Sequence, residues 1–515
     1  MDINKVIVTN AKALIAKYGK GGYGQIGTAL KLLIDADAKR GLVSKVIEVD
    51  SKSAMSPYGA PVATATNSRA AKAAIDAICA KEKPEYLLIL GANDVVPLVP
   101  LKNPLYSPDE DSDKTVPSDL PYASEAPYST DINAFIGPTR VVGRIPDLVG
   151  AKSPEYVIKL ITAAANYKTL SAADYKKYFG ISAQIWQKST ALSLSNLFGN
   201  ATTMNTVPPS GPSWSATQLA PRMHFINCHG AHLTSEYYGQ PESGANQYPI
   251  AHSAALLPKK IVPGTILAAE CCYGAELFDP SRNNGQAGIA YTYLGEGAYG
   301  VFGSTTIAYG PSEGNGSADL ICQYFLHSVM HGSSMGRAAL EARHQFAGQF
   351  SHLDPTDMKT LAQFYLLGDP SIHAVAAVPH ALNATKVFKD AFAKSGSTGT
   401  RALRRERLQR VGSALKRDLP RTVPASKEST ATQQVTKVLA DAATESGLGL
   451  STNMHFTVRH RSRAKREEPE RSIHVLMAAG HGGDAAEDTP GHHVVAIIAT
   501  TEDGKLIHLR RLHSR

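Results

Sequence analysis

Four short apolar runs constrain the fold most: "EYLLILG" (85–91), "RMHFINCHG" (222–230), "GTILAAECCYG" (264–274) and "AYGVFG" (298–303). Each is continuous rather than alternating, and each stops at glycine. A run of this length reads as a strand buried on both faces, the habit of parallel sheets. Helical spacing fills the intervals. "SPEYVIKLITAAANYK" (153–168) begins with Ser-Pro, "QAGIAYTYLGEG" reads as a further helix, and "SADLICQYFLHSVMHGSSMGRAALEARHQF" reads as two helices split near Gly332. Strands alternating with helices predict an α/β fold with a mostly parallel sheet.

At 515 residues the chain is long enough for several domains. The reading divides it into an N-terminal α/β subdomain (1–165), a catalytic subdomain (166–378), a basic linker or helix (379–430) and a small C-terminal α+β domain (431–515). "RALRRERLQRVGSALKRDLPR" (401–421) carries most of the basic tract. Residues 401–515 hold 20 Lys/Arg against 13 Asp/Glu, so this last fifth supplies nearly all of the net charge of +8. "HHVVAIIATTEDGKLIHLRRL" predicts a hairpin turning at Asp503-Gly504. There is no run of 18 apolar residues and no signal-peptide pattern at the N-terminus, which reads as a strand and a helix. Five cysteines without an export signal are expected to be reduced thiols. The location expected is cytoplasmic.

Ligands of open α/β sheets bind beyond the carboxyl ends of the strands. Two runs deliver reactive groups there: one ends in Cys228-His229-Gly230, the other in Cys271-Cys272-Tyr273-Gly274. Adjacent strands lie about 5 Å apart. A thiol and an imidazole then face each other across a gap that fits a peptide carbonyl. The thiolate attacks, and the histidine manages its proton and protonates the leaving amine. The backbone N–H of Gly230, with that of the nucleophile, forms an oxyanion hole. Zinc is the competing reading, but "Cys-His-x-x-His" and "Cys-Cys" lack knuckle spacing, and no metal is expected.

These blocks resemble the gingipain branch of the caspase-like cysteine peptidases. "LLILGANDVVP", "SDLPYAS", "VVGRIPD", "NCHGA", "AAECCYGA", "GVFGSTTIAYG" and "FYLLGDPSI" match that family's blocks in order over roughly residues 85–375. The resemblance implies a caspase-like three-layer α/β/α sandwich and a cysteine endopeptidase. It implies cleavage after Arg or Lys through a thioester, with His229 as base.

Two registers compete for the nucleophile. Cys-x-x-Gly, the gingipain form, selects Cys271, and Cys-x-Gly, the caspase form, leaves Cys272 as the alternative. Strand alternation puts the two on opposite faces and sends Cys228 into the packing. His232 is expected at the rim and His224 at the wrong end of its strand. By resemblance, Asp119 in "SDLPYAS" orients the histidine. Asp131 supplies the acidic pocket residue, and Ser304 and Thr305 line the pocket wall. The "DEDSD" loop (109–113) reads as a solvated acidic turn, with structural calcium the only cofactor considered. The expected partners are a protein substrate, in a regulated prokaryotic pathway such as defence or cell death, and a regulator docking on the C-terminal domain. The arginine-rich linker is a candidate for self-cleavage. The alternative is an adaptor or scaffold of the same fold that binds nucleic acid or a partner without proteolysis, through 401–421 and "RHRSRAKREEPER" (459–471).

Overall fold

A computed structural model describes residues 3–245, 247–376, 401–425, 431–444, 452–459, 471–479 and 493–515. The apolar runs all become strands of one large sheet. In chain order its strands are β1 (Lys5–Thr9), β2 (Ser44–Glu48), β3 (Tyr86–Leu90), β4 (Val141–Ile145), β5 (Tyr178–Ala183), β6 (Met204–Val207), β7 (Met223–Asn227), β8 (Ile266–Ala269) and β9 (Gly300–Gly303). A two-residue strand of a second sheet, β10 (Tyr309–Gly310), precedes the last member, β11 (Tyr365–Leu367). Among the described residues the order across the sheet is β2-β1-β3-β4-β11-β9-β8-β7-β5-β6.

All neighbours in this sheet are parallel except β9 and β11, which run antiparallel with Phe302 opposite Leu366. This seam inverts the strand direction between the two halves. The carboxyl ends of β1, β3 and β4 therefore lie on one edge, and those of β7, β8 and β9 on the other. The loop after Gly91, at the carboxyl end of β3, lies on the edge opposite the one that carries His229 and the Cys271-Cys272 pair.

The longer helices before the C-terminal region are α1 (Ala11–Lys39), α2 (Ser68–Glu82), α3 (Glu155–Ala165), α4 (Gln187–Phe198), α5 (Ile289–Gly295), α6 (Ser317–Met330), α7 (Met335–Gly348) and α8 (Pro355–Gln363). One group packs α3 against α1 and α5. Another joins α6 to α4, α7 and α8. Both groups reach β4 and β9, α3 and α5 from one group, α7 and α6 from the other. The sheet is thus the middle of three layers, and its strands β1, β3 and β4 are buried along their whole length.

The C-terminal region adds α9 (Arg401–Asp418), β12 (Arg421–Pro424), α10 (Ala431–Thr444), β13 (Thr452–Arg459), β14 (Arg471–Ala479), β15 (Val494–Glu502) and β16 (Lys505–Ser514). Its antiparallel sheet runs β10-β16-β15-β14-β13-β12. The expected hairpin joins β15 to β16, with Asp503 and Gly504 at φ 49° and 77°. One face of this sheet packs under α10; the other carries Phe456, Ile473, Val475, Met477 and Ile498 onto Leu105, Cys272, Ile307 and Tyr309. The C-terminal sheet therefore takes its edge strand, β10, from the catalytic unit. The basic tract is helical as α9 and packs on α7. A Cβ at Gly137 would overlap the Gly412 carbonyl oxygen, so the two backbones touch there. Residues 377–400, 426–430 and 460–470, parts of the expected linker and of the second basic tract, lie outside the described residues.

Candidate active site

β7 and β8 are adjacent, with Ile226 opposite Ala269. His229 and Cys272 each lie three residues beyond that pair, and Cys228 and Cys271 each lie two beyond it. Strand geometry stops at Asn227 and Ala269, so alternation does not reach the two cysteines. Contact follows register instead. Cys271 sits in the main core beside Cys228, and burial together with that neighbouring thiol pushes it well above the ordinary thiol range. Cys272 faces the second sheet, where the Ala308 amide donates to its Sγ at 3.3 Å. The expected nucleophile, Cys271, thus joins the main core, and Cys272 joins the apolar cluster beneath the second sheet.

Arg515, the residue after β16, is seated against the cysteine turn. The Arg515 carbonyl oxygen accepts from the backbone N–H of Cys272 at 3.0 Å and of Gly230 at 3.3 Å. Two amides, one following the histidine and one belonging to a cysteine, converge on one carbonyl oxygen. That is the arrangement an oxyanion hole requires. A Cβ at Gly230 would overlap the Cys272 carbonyl oxygen, so only glycine lets the His-Gly strand lie this close to the cysteine turn.

The Arg515 side chain is as enclosed as its carbonyl, at 1 % exposure. Its guanidinium lies 4.4 Å above the Trp186 ring, donates to the Pro311 carbonyl at 2.7 Å and meets Asp319 Oδ2 at 3.3 Å. Asp319 stands in the first turn of α6, where the amide dipoles favour negative charge. Glu270 is buried beside it. Burial and the Asp319 charge push Glu270 well above the usual carboxylate range, while Arg515 pulls it back. Burial also raises Asp319, and Arg515 is the largest opposing influence. Two ionised carboxylates side by side are disfavoured in a buried site, and Asp319 is the one that meets the guanidinium. Gly310 forms the pocket's mouth, since any side chain there would run into the guanidinium.

His229 donates Nε2–H to Gln240 Oε1 at 2.8 Å, leaving Nδ1 as the free nitrogen of the neutral ring. Its ring lies 4.3 Å from Trp186, 5.1 Å from Tyr248 and 6.1 Å from His493, centroid to centroid. Burial, then the neighbouring His493 and Arg515, lower it to about 3. Burial raises Cys272 to about 12. With Arg515 in place, both groups are neutral at pH 7.

A family model described as peptidase family C25 matches residues 2–375. The chain belongs to peptidase family C25. It is a cysteine peptidase, and its substrate is a protein or peptide. The solved structure described as "Structure of Protease" is similar to it at 12% identity and a TM-score of 0.47, covering 100% of this chain and 97% of that one. The comparison with curated proteins gave no match. No helix among the described residues is long and apolar enough to cross a membrane.

The remaining expected residues of the C25 peptidase sit elsewhere. Asp119 is gripped by Arg144, Nε to Oδ2 at 2.9 Å and Nη2 to Oδ1 at 2.6 Å, both residues buried. It serves this ion pair, while Gln240 holds the histidine. Asp131 caps a 3-10 turn by accepting from the Asn133 amide at 2.9 Å, and Arg515 meets Asp319 instead. Ser304 donates to the Cys271 carbonyl at 2.7 Å, and Thr305 to the Pro117 carbonyl at 2.7 Å. These two brace the cysteine turn and its surroundings rather than the arginine. His232, at the rim, pairs with Glu276 at 2.7 Å. The "DEDSD" loop is not a solvated turn. Asp111 is buried and meets Lys359 Nζ at 2.5 Å, with Asp113 at 3.6 Å from the same ammonium. A lysine already balances the charge that calcium would balance, so these residues do not fit that ion. Trp186, Gln240, Asp319 and Arg515 escaped the sequence reading. Glu270 was visible beside the cysteines, and Asp319 was marked only by the helix start "GNGSAD".

Proposed function

We propose that this C25 peptidase is an endopeptidase that cleaves after arginine, with Cys272 as nucleophile and His229 as base and acid. The observation that carries the reading is the seat of Arg515: carbonyl between two amides, guanidinium against Asp319 and Trp186. In the reaction, Cys272 Sγ adds to the carbonyl carbon and its proton passes to His229. The Gly230 and Cys272 amides take the oxyanion. The C–N bond breaks as His229 protonates the leaving amine, and water then hydrolyses the thioester to a carboxylate and the free thiol. Asp319, backed by Glu270, selects the charged side chain. The substrate is taken to be a dedicated protein in a regulated pathway such as defence or cell death, encountered in the cytoplasm. The adaptor reading draws on the basic helix α9, but one face of that helix is packed against the body of the protein.

The test is a profile of fluorogenic peptides with arginine, lysine, aspartate or alanine before the scissile bond. Selective turnover of arginyl peptides that vanishes with Cys272→Ala supports the reading. Turnover that survives in Cys272→Ala but not in Cys271→Ala overturns the assignment.

A further inference from the structure

A peptide substrate needs three things of this site: an edge to lie along, a pocket for its arginine, and the oxyanion hole for its carbonyl. β16 already uses all three. It pairs antiparallel with β10, Tyr309 opposite Ser514 and Gly310 opposite His513, and the Arg515 amide extends the ladder to the Ala308 carbonyl at 2.9 Å. Addition of a strand to an exposed edge is how extended peptides are commonly bound. Upstream, Arg510 is clamped between Asp354 and Asp357, the latter at 3.0 Å, at the start of α8, and it donates to Ser317 Oγ at 3.3 Å. Leu512 joins the apolar face of the C-terminal sheet that covers Cys272. The result is that His229 and Cys272 are each only 3 % exposed. No second chain can approach while β16 stays.

Resting on the peptidase reading above, we propose that residues 511–515 are a tethered occupant of the acyl side of the substrate groove. The β10 edge and the Asp319 pocket bind extended peptides ending in arginine. The chain's own last strand holds that place in cis, and the enzyme is closed until the strand leaves. The same seat makes Arg515 the residue before a scissile bond whenever the chain continues beyond it. Cys272 Sγ then bonds to the Arg515 carbonyl carbon. The bond to the next nitrogen breaks as that amine takes a proton from His229. Water cleaves the thioester, restoring the thiol and leaving the Arg515 carboxylate where it lies. The product remains bound because its strand remains paired.

Four proteins test this: the full chain, Arg515→Gln, the full chain extended past Arg515 by a flexible peptide carrying a fluorophore, and that extended chain with Cys272→Ala. Mass spectrometry follows the extension, and a fluorogenic arginyl peptide reports turnover. We expect the extension to be cut after Arg515 at a rate independent of protein concentration, and to persist with Cys272→Ala. Arg515→Gln should turn over the peptide on the order of tenfold or more faster than the full chain, since a tethered competitor acts at millimolar effective concentration. If the full chain and Arg515→Gln cleave the peptide equally and the extension stays intact, the tethered occupant is refuted and the peptidase reading stands. Cutting that accelerates with protein concentration places the strand in a second copy and overturns the cis arrangement. If no form cuts peptide or extension while all give the same cooperative thermal transition, the arginyl-peptidase reading itself is wrong.

Discussion

His229 and Cys272 each lie three residues past the register pair Ile226–Ala269. The matching pair one residue earlier is Cys228 and Cys271, and it is packed in the core. A first prediction separates the two cysteines. Cys272→Ala should lower kcat/KM by on the order of 10^4-fold or more, the usual cost of losing a nucleophile. Cys271→Ala should mainly cost stability, about 1 kcal/mol for a small cavity, and keep turnover within about threefold. Peptide kinetics and thermal melts on both variants check this.

The pocket prediction concerns Asp319. Asp319→Asn removes the charge facing a buried guanidinium, an interaction whose loss costs about 3 kcal/mol, or on the order of 10^2-fold in kcat/KM for arginyl peptides. Asp131→Asn should leave the same parameter unchanged. Equal losses in the two variants would move the pocket to the 3-10 turn of Asp131.

Asp119 distinguishes an ion pair from a histidine orienter. Its carboxylate is engaged twice by Arg144 inside the protein, so Asp119→Ala strands a buried cation and should cost about 3–5 kcal/mol of stability. The double variant Asp119→Ala/Arg144→Met should recover part of that loss. An orienter would instead show unchanged melting with a shifted pH profile for kcat.

Acidification should weaken the part of the folded state's stability that rests on its buried histidines. Burial lowers His229 and His252 to about 3, and His224 to about 4, against an ordinary value near 6.5. The unfolded chain binds protons on these rings that the folded chain refuses. Their contribution is complete above the unfolded value and is lost as pH falls below it. These rings contribute a fall in Tm as pH goes from about 7.5 to about 5, set against the opposite contribution of buried carboxyls such as Glu270 and Asp357, whose raised values favour the folded protein in acid. His229→Gln should flatten part of that slope, measurable by scanning calorimetry across the range.

The parallel runs, the helices between them and the Asp503-Gly504 hairpin could be read from the sequence because each is a local signal. An apolar run makes a buried strand, and Asp-Gly suits two residues of positive φ. The His-Gly and Cys-Cys ends were also visible. What one sequence could not supply was register. Ile226 lies opposite Ala269, a relation between segments over forty residues apart, and beyond it Cys271 comes beside Cys228. Asp319 stayed hidden for the same reason, since it enters the site from the first turn of α6. Asp119 and Asp131 carried the right charge, but Arg144 and a 3-10 turn claimed them.

The seam between β9 and β11 has a consequence for biosynthesis. β11 is three residues long and lies far downstream of the strands it joins, β4 on one side and β9 on the other. A nascent chain that has not reached Tyr365 leaves both of those edges bare. An unpaired hydrophobic edge recruits other strands. Until that short segment emerges from the ribosome, the growing polypeptide consists of two half-sheets without a common partner. Its most vulnerable moment therefore falls late in its synthesis.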